Sequence, residues 1–220
     1  IAAGQQLEWI QALTTGVDNL LGAPELRRDV LITNTRGAHG PQMSELAFLF
    51  MLVLLRDFPR MQYDQREKIW DRRPQKLLVD RTILIIGVGL IAEALAERAR
   101  AFGMHTVGLS QTPRETPGFD RVLPRSALVE AAGKADFIVV LTPHTDATHH
   151  LIGAEVFRAM RDDAYLINLA RGGVVNEEAL LQALDAEELA GAALDVFSVE
   201  PLPTDSPFWD HPKVILTPHI

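Results

Sequence analysis

The chain has 220 residues and a formal net charge of −8, with 47% hydrophobic and 23% charged residues, which is typical of a globular protein with a substantial core. The negative charge argues against nucleic-acid binding, because proteins that bind the phosphate backbone usually present a basic face. The sequence has no cysteine, which excludes disulfides and thiolate metal sites; this is compatible with a reducing cytosol, and we expect a cytoplasmic protein. No signal peptide is visible, and the longest apolar run, residues 46–55, is too short to span a bilayer, so we expect no membrane partner.

The first 40 residues predict part of a small α/β unit. Residues 7–10 and 30–32 are short apolar strand candidates, and the polar residues 14–19 between them predict a turn. A second run of turn residues, 35–41, contains two glycines and a proline. We therefore divide the chain after residue 40, with residues 41–220 forming a second, larger domain.

An apolar helix and a charged segment open the larger domain. Ser44 is predicted to cap a helix that runs to Phe58, with Pro59 marking its end. The next segment, residues 60–73, is rich in charge but also carries large apolar side chains. These are Met61, Tyr63, Ile69 and Trp70. Two interpretations stay open, a solvated connection and an arm that packs on a second subunit.

From residue 82 onward, strand and helix patterns alternate. The strand candidates are residues 82–86, 106–109, 137–141, 165–169, 192–197 and 214–217. Helical patterns at residues 90–102, 154–160 and 177–186 fall between most of them. This alternation predicts an α/β fold with a doubly wound parallel sheet, built from right-handed crossovers.

A glycine turn follows the first of these strands. The strand ends at Gly87-Val88-Gly89, and a helical pattern begins at once at Leu90. In such a turn the glycines let the backbone approach a pyrophosphate, and the helix N-terminus holds the negative charge. Ala92 replaces the third glycine of the dinucleotide-binding fingerprint, a substitution that the fingerprint allows. On this stretch alone, a dinucleotide site and a purely structural turn are equally open.

Residues able to do chemistry follow the carboxyl ends of the predicted strands. They are Thr142 and Pro143 after the third strand, Arg171 after the fourth, Asp195 and Glu200 at the end of the fifth, and His219 after the sixth. Ligands of an open α/β sheet bind in the crevice outside these strand ends. We therefore expect these side chains to share one site.

Three of these residues suggest specific roles. The guanidinium of Arg171 suits bidentate capture of a carboxylate and can polarise a carbonyl, although a structural ion pair is an equal alternative. A carboxylate such as Glu200 that accepts a hydrogen bond from the imidazole of His219 would fix its tautomer and favour the protonated ring. Such a histidine can protonate a carbonyl oxygen or accept the proton in the reverse direction. A surface or packing role for His219 stays open on the sequence alone.

Three further histidines crowd the loop after the third strand. His144, His149 and His150 have a spacing that suggests metal binding. With no cysteine, and no acidic residue nearby except Asp146, we predict no metal site.

Over essentially its whole length the chain resembles the D-isomer-specific 2-hydroxyacid dehydrogenase family. The resemblance is carried, in family order and spacing, by LEWIQALTTGVDNL, GVGLIA, LTPHTDATHHLI, NLARGGVVNEEAL, ALDVFSVEP and LTPH. It implies part of a flavodoxin-like substrate domain at residues 1–40 and a Rossmann-like dinucleotide-binding domain at residues 41–220, with further elements expected beyond both ends. It also implies a homodimeric, nicotinamide-dependent oxidoreductase that reduces a 2-oxo acid to a D-2-hydroxy acid, with glyoxylate or hydroxypyruvate favoured.

The resemblance also implies roles for individual residues. Arg171 would bind the substrate carboxylate and carbonyl, His219 would be the acid/base, and Glu200 would tune it. Backbone amides near Thr15 and Gly16 would meet the substrate carboxylate. Asp195 would contact the carboxamide of the nicotinamide. The full set of predicted cofactor contacts is Gly87, Gly89, Leu90, Ile91, Ser110, Gln111, Arg114, Thr142, Pro143, Thr148, Ala170 and Asp195.

Ser110 departs from the family pattern at the end of the second strand. An acidic residue at that position would bind the adenine ribose hydroxyls and repel a 2′-phosphate. Ser110 removes the repulsion, and Arg114 is close enough in sequence to pair with the phosphate. We therefore predict NADP(H) rather than NAD(H), the alternative being that Arg114 points to solvent and either cofactor is accepted.

Two other functions stay open within the same fold. One is a non-catalytic module that senses NAD(P)(H) and controls partner binding; the intact Arg171, Glu200 and His219 favour the enzyme instead. The other is formate or phosphite oxidation. His219 argues against formate, because the resembling enzymes place glutamine there.

Overall fold

The amino-terminal part of the chain forms a small parallel sheet. The computed structural model describes residues 6–220, with the side chains of residues 18 and 19 outside that description. Strands β1 (Trp9–Ala12) and β2 (Leu31–Asn34) pair in parallel, and a short helix α1 (Asp18–Leu21) lies between them in the chain. Both strands were predicted, although each predicted strand ends two residues before the observed one. The helix α1 was not predicted. Predicted structure for residues 1–5 lies outside the described part, and the assignment of residues 1–40 to a substrate domain stays a prediction.

A seven-stranded parallel sheet organises the rest of the described chain. Its order is β5-β4-β3-β6-β7-β8-β9. The strands are β3 (Thr82–Ile86), β4 (His105–Ser110), β5 (Arg121–Pro124), β6 (Phe137–Val140), β7 (Tyr165–Asn168), β8 (Gly191–Leu194) and β9 (Val214–Leu216). Because β3 has β4 on one side and β6 on the other, the strand order reverses there and a crevice opens at the carboxyl ends. The predicted doubly wound α/β fold is confirmed.

Helices cover both faces of this sheet. They are α2 (Gly40–Leu55), α3 (Phe58–Arg66), α4 (Leu90–Ala101), α5 (Leu128–Ala132), α6 (Ala154–Ala159) and α7 (Glu177–Asp185). Ile83 and Ile85 pack in the layer of α2 and α4, whereas Leu84 and Ile86 pack in the layer of α5 to α7. All four are almost fully buried, as expected for a parallel strand covered on both faces. Among the described residues, no helix is both long enough and apolar enough to cross a membrane.

The start of α2 differs from the sequence prediction. The helix begins at Gly40, so the predicted cap at Ser44 is wrong. Pro41 in the first turn suits a helix start, since its missing N–H would have no partner there. The buried hydroxyl of Ser44 instead donates to the carbonyl of Gly40 at 2.5 Å, inside the helix.

An ion cluster joins the strands at their amino ends, away from the crevice. Asp136 accepts hydrogen bonds from Arg81 Nη1 at 2.6 Å and from the amide of Thr82 at 2.8 Å. The hydrogen bond that Arg81 donates to Asp136 raises the pKa of Arg81 above its ordinary value. This cluster therefore ties the start of β3 to the start of β6 and is structural.

Candidate active site

The glycine turn after β3 has one position that only glycine can fill and one that faces open space. Gly87 has a φ of 98°, and a Cβ there would lie 2.7 Å from the amide nitrogen of Thr142. The turn therefore lies directly against the loop after β6. By contrast, a Cβ on Gly89 would meet no atom within 4 Å, although Gly89 caps the N-terminus of α4. This open cradle at a helix N-terminus fits a dinucleotide pyrophosphate.

A cavity of about 450 Å³ lies in front of this turn. The predicted cofactor residues in its wall are Gly87, Gly89, Leu90, Ile91, Thr142, Pro143 and Ala170. Thr15, Gly16 and Arg171 line it as well. It also contains Arg36, which sequence reasoning missed because residues 35–41 were interpreted only as a turn. The sequence feature that could have indicated Arg36 was its position just after β2 and before the apolar helix.

Four other predicted cofactor residues, besides Asp195, lie outside this cavity. Ser110 ends β4, and its hydroxyl lies 3.3 Å from both the amide and the carbonyl of Thr112. Gln111 is exposed, and Arg114 is exposed beside a separate cavity of about 810 Å³. Thr148 is buried, and its hydroxyl donates to the carbonyl of Pro143 at 2.7 Å, which braces the loop after β6. Contact of these four side chains with a cofactor stays a prediction.

Buried contacts fix the loop that carries Arg171. The side-chain amide of Asn168 donates to the carbonyl of Arg171 at 3.0 Å, and its Oδ1 accepts from the amide of Ala170 at 3.1 Å. A Cβ on Gly172 would lie 1.9 Å from the carbonyl carbon of Phe197. The loop is thus pressed against the segment after β8, which brings the half-buried Arg171 next to Glu200 and His219 in one cavity wall.

Glu200 and His219 form a hydrogen-bonded pair. Nδ1 of His219 lies 2.7 Å from Oε2 of Glu200, while Oε1 of Glu200 accepts from the amide of Phe197 at 2.9 Å. The backbone therefore orients the carboxylate, and the carboxylate orients the ring. Proton exchange with a substrate falls to Nε2, the ring nitrogen that the carboxylate does not hold.

Asp195 holds the loop that presents His219. It is only 1% exposed, and its Oδ1 accepts from the hydroxyl of Thr217 at 2.5 Å and from the amide of Ile220 at 3.0 Å. These two residues flank His219, whose φ of 57° lies in the left-handed region that non-glycine residues rarely adopt. The sequence did not reveal this bracketing role, although Thr217, two residues before His219 and directly after the neighbouring strand β9, was the available signal. The predicted contact between Asp195 and the nicotinamide stays a prediction.

A second cavity, of about 680 Å³, collects the residues predicted to do chemistry. Arg171, Glu200 and His219 line it together with Gly16. Because Arg171 and Gly16 also line the cavity at the glycine turn, the two cavities adjoin. The structure therefore brings the predicted catalytic residues beside the predicted cofactor cradle.

The comparisons with known proteins agree with this arrangement. The family model described as D-isomer specific 2-hydroxyacid dehydrogenase, NAD binding domain, matches residues 48–220. The chain belongs to this family. Within the family, glyoxylate/hydroxypyruvate reductase A of Citrobacter koseri is 34% identical, over 99% of this chain and 72% of that protein. The predicted dehydrogenase class is confirmed.

Two solved dehydrogenases of this family share the fold closely. One, a D-isomer specific 2-hydroxyacid dehydrogenase family protein from Aeromonas salmonicida, is 44% identical, with a TM-score of 0.92 over 97% of this chain and 68% of that one. Another is an NADPH-dependent glyoxylate/hydroxypyruvate reductase from Sinorhizobium meliloti, solved with NADP and sulfate. It is 31% identical, with a TM-score of 0.88 over 97% of this chain and 69% of that one.

Proposed function

We propose that this dehydrogenase reduces small 2-oxo acids, glyoxylate and hydroxypyruvate foremost, to D-2-hydroxy acids with NADPH. The observation that carries the proposal is the placement of Arg171 and the Glu200–His219 pair in one cavity that adjoins the open cradle at Gly89. The names of the relatives support the substrate class.

The side chains divide the chemistry between them. Arg171 holds the substrate carboxylate through its fork of N–H donors and polarises the carbonyl, with backbone amides at Thr15 and Gly16 on the other side of the carboxylate. A bound nicotinamide supplies the hydride. His219 Nε2 gives its proton to the carbonyl oxygen, and Glu200 stabilises the protonated ring before that transfer. Charge that develops on the oxygen meets groups that are already oriented, so little reorganisation opposes the step.

The cofactor specificity follows from the end of β4. Ser110 offers a hydroxyl where a carboxylate would repel a 2′-phosphate, and the exposed guanidinium of Arg114 is available nearby. In the middle of the dinucleotide, Arg36 lies in the wall of the cavity at the glycine turn and can neutralise pyrophosphate charge. The NADP complex of the Sinorhizobium reductase supports the choice of the phosphorylated cofactor.

An assay of the purified protein tests this function. With NADPH we expect kcat/KM on the order of 10⁴ M⁻¹s⁻¹ or more for glyoxylate or hydroxypyruvate, well above pyruvate and a bulky aromatic 2-oxo acid. A charge-assisted contact to the 2′-phosphate contributes about 1.5 kcal/mol or more, so NADPH should bind roughly tenfold tighter than NADH. Arg114→Ala should remove most of that preference. Activity on none of these acids would instead support the NAD(P)(H)-sensing module, and an NADH preference would overturn the cofactor proposal.

We also propose that the protein is a homodimer held by residues 67–77, here called the arm, which begin inside the predicted segment 60–73 and extend four residues beyond it. After α3 the arm runs without regular structure, and Trp70 on it is 92% exposed. The arm is nevertheless anchored, because Arg73 Nη2 lies 2.6 Å from the buried carboxylate of Asp64 on α3. Ile69, Leu77 and the nearby Tyr63 are exposed as well. An anchored segment that presents apolar side chains to solvent fits a surface covered by a second copy of the chain.

Light scattering after size exclusion tests the homodimer. The wild type should have the mass of two chains, and Trp70→Asp should shift the population toward one chain, because a buried carboxylate at an interface is costly. Leu21→Asp is the matched control, since Leu21 is 69% exposed and belongs to α1 rather than to the arm. A single-chain mass for the wild type, or equal shifts in both variants, would contradict the arm-mediated dimer.

A further inference from the structure

Three imidazoles stand side by side along the wall of the cavity that holds Arg171 and His219. His144, His149 and His150, here called the imidazole row, all lie on the loop after β6 and line this cavity. Nε2 of His144 is 3.0 Å from Nδ1 of His149, and the rings of His149 and His150 stack with centroids 3.9 Å apart. The proposed reduction of glyoxylate uses none of these rings.

The loop after β7 holds the imidazole row in place. A Cβ on Gly173 would lie 2.7 Å from Nε2 of His144, so the absence of a side chain there makes room for that ring. The amide of His150 donates to the carbonyl of Gly173 at 2.9 Å. Asn176 Oδ1 is occupied as the cap of α7, so its Nδ2 faces Nδ1 of His150 at 3.5 Å. The row is therefore tied to the loop that carries Arg171.

The hydrogen bonding of the His144–His149 pair favours an anionic ligand. With both rings neutral, one N–H joins them, which leaves one outer nitrogen as a donor and the other as an acceptor. The pair keeps its internal hydrogen bond and offers an outward N–H donor to a carboxylate oxygen.

The charged groups around the imidazole row also favour an anionic ligand. The other ionisable residues in the cavity wall are Arg171, Glu200 and His219. Glu200 is committed to His219 and to the amide of Phe197, so it does not neutralise the row. Within residues 6–220, no group of three or more histidine, aspartate and glutamate side chains is placed to hold a metal ion. An organic anion is thus the ligand that suits the row.

We propose that the imidazole row binds a second carboxylate of the substrate, so that the enzyme accepts 2-oxodicarboxylic acids as well as simple 2-oxo acids. This inference rests on the proposed reductase function, in which Arg171 holds the first carboxylate. The cavity of about 680 Å³ is far larger than glyoxylate needs, and the row occupies part of the wall that so small a substrate would leave uncontacted.

Paired substrates that differ by one carboxylate test the proposal. Pyruvate and oxaloacetate form one pair, and glyoxylate and ketomalonate form the other. We expect the wild type to reduce both dicarboxylates. His149→Phe, which keeps the ring stack but removes both nitrogens, should lower the oxaloacetate-to-pyruvate ratio of kcat/KM by at least about tenfold. His144→Phe should act in the same direction, whereas His105→Phe at the exposed start of β4 should leave the ratio unchanged.

Calorimetry provides a second readout that does not depend on turnover. Tartronate and glycolate, the matching hydroxy acids, are titrated into the wild type and into both histidine variants. Tartronate should bind tighter than glycolate to the wild type, and both histidine variants should abolish that difference. Equal binding of the two acids to the wild type, or ratios unchanged in both variants, would overturn the role of the row. Failure of the wild type to reduce any of the four oxo acids would instead count against the reductase function.

Discussion

Replacing His219 by alanine should lower kcat for glyoxylate reduction by about 10³-fold, because a positioned general acid contributes roughly 10² to 10⁴ to such a step. The dissociation constant of NADPH should change by less than about twofold, since His219 lies in the substrate cavity and not in the cavity at the glycine turn. Stopped-flow reduction at saturating substrate and a fluorescence titration of NADPH separate the two quantities.

Two further variants test whether the loss of kcat depends on the Glu200–His219 pair. Glu200→Gln keeps the shape of the side chain but removes the charge that holds Nδ1 of His219 at 2.7 Å, so a smaller loss, about 10²-fold, is expected. His105→Ala removes an exposed histidine at the start of β4 and should leave kcat at the wild-type value. Full turnover in His219→Ala would exclude this ring as the acid/base, whatever the effect of Glu200→Gln.

The strands at the centre of the sheet were predictable because burial on both faces leaves a clear pattern. β3, β6 and β7 are short apolar runs bounded by polar or glycine residues, and the structure places each within one residue of its prediction. β5 was missed because it is an edge strand of four residues, with an arginine at one end and a proline at the other. Such a strand carries little pattern of its own, and pairing with β4 is what makes it extended.

The start of α2 depended on a tertiary contact that the sequence does not display. A Cβ on Gly40 would lie 3.1 Å from Cβ of Ala94, so this glycine lets α2 approach α4 at its first turn. The local preference for serine as a helix cap favoured Ser44 instead, because that preference does not take contacts with a neighbouring helix into account. Contact between helices thus overrode a local preference.

The candidate site was predictable at the level of loops but not of hydrogen bonds. Motif spacing together with parallel topology was enough to place Arg171, Glu200 and His219 at one edge. The hydrogen bond between Asp195 and Thr217 joins residues 22 positions apart that directly follow the neighbouring strands β8 and β9, and it depends on the register of those strands. The position of Arg36 beside the glycine turn depends equally on how the two sheets are placed, which no local pattern encodes.

Replacing Gly89 by valine should raise the dissociation constant of NADPH on the order of 100-fold while leaving the fold intact. A Cβ at this position enters open space, and the backbone there is extended, so the protein itself accommodates the side chain. Valine is a poorer helix cap than glycine, which costs about 1 kcal/mol of unfolding free energy. The same side chain would fill the cradle through which backbone amides reach the pyrophosphate, and this loss of close approach weakens binding.

Gly87→Ala is the contrasting variant, since it should damage the fold rather than the cradle alone. Its Cβ would lie 2.7 Å from the amide nitrogen of Thr142, and the φ of 98° is strained for any side chain. We expect a loss of about 3 kcal/mol in the free energy of unfolding, measured by urea denaturation in the absence of cofactor. Comparison of the two variants therefore separates an effect on the free energy of unfolding from an effect on NADPH binding. If Gly89→Val bound NADPH as tightly as the wild type, the cavity in front of the turn would not be the cofactor site, because no other described feature there combines an open backbone cradle with a helix N-terminus.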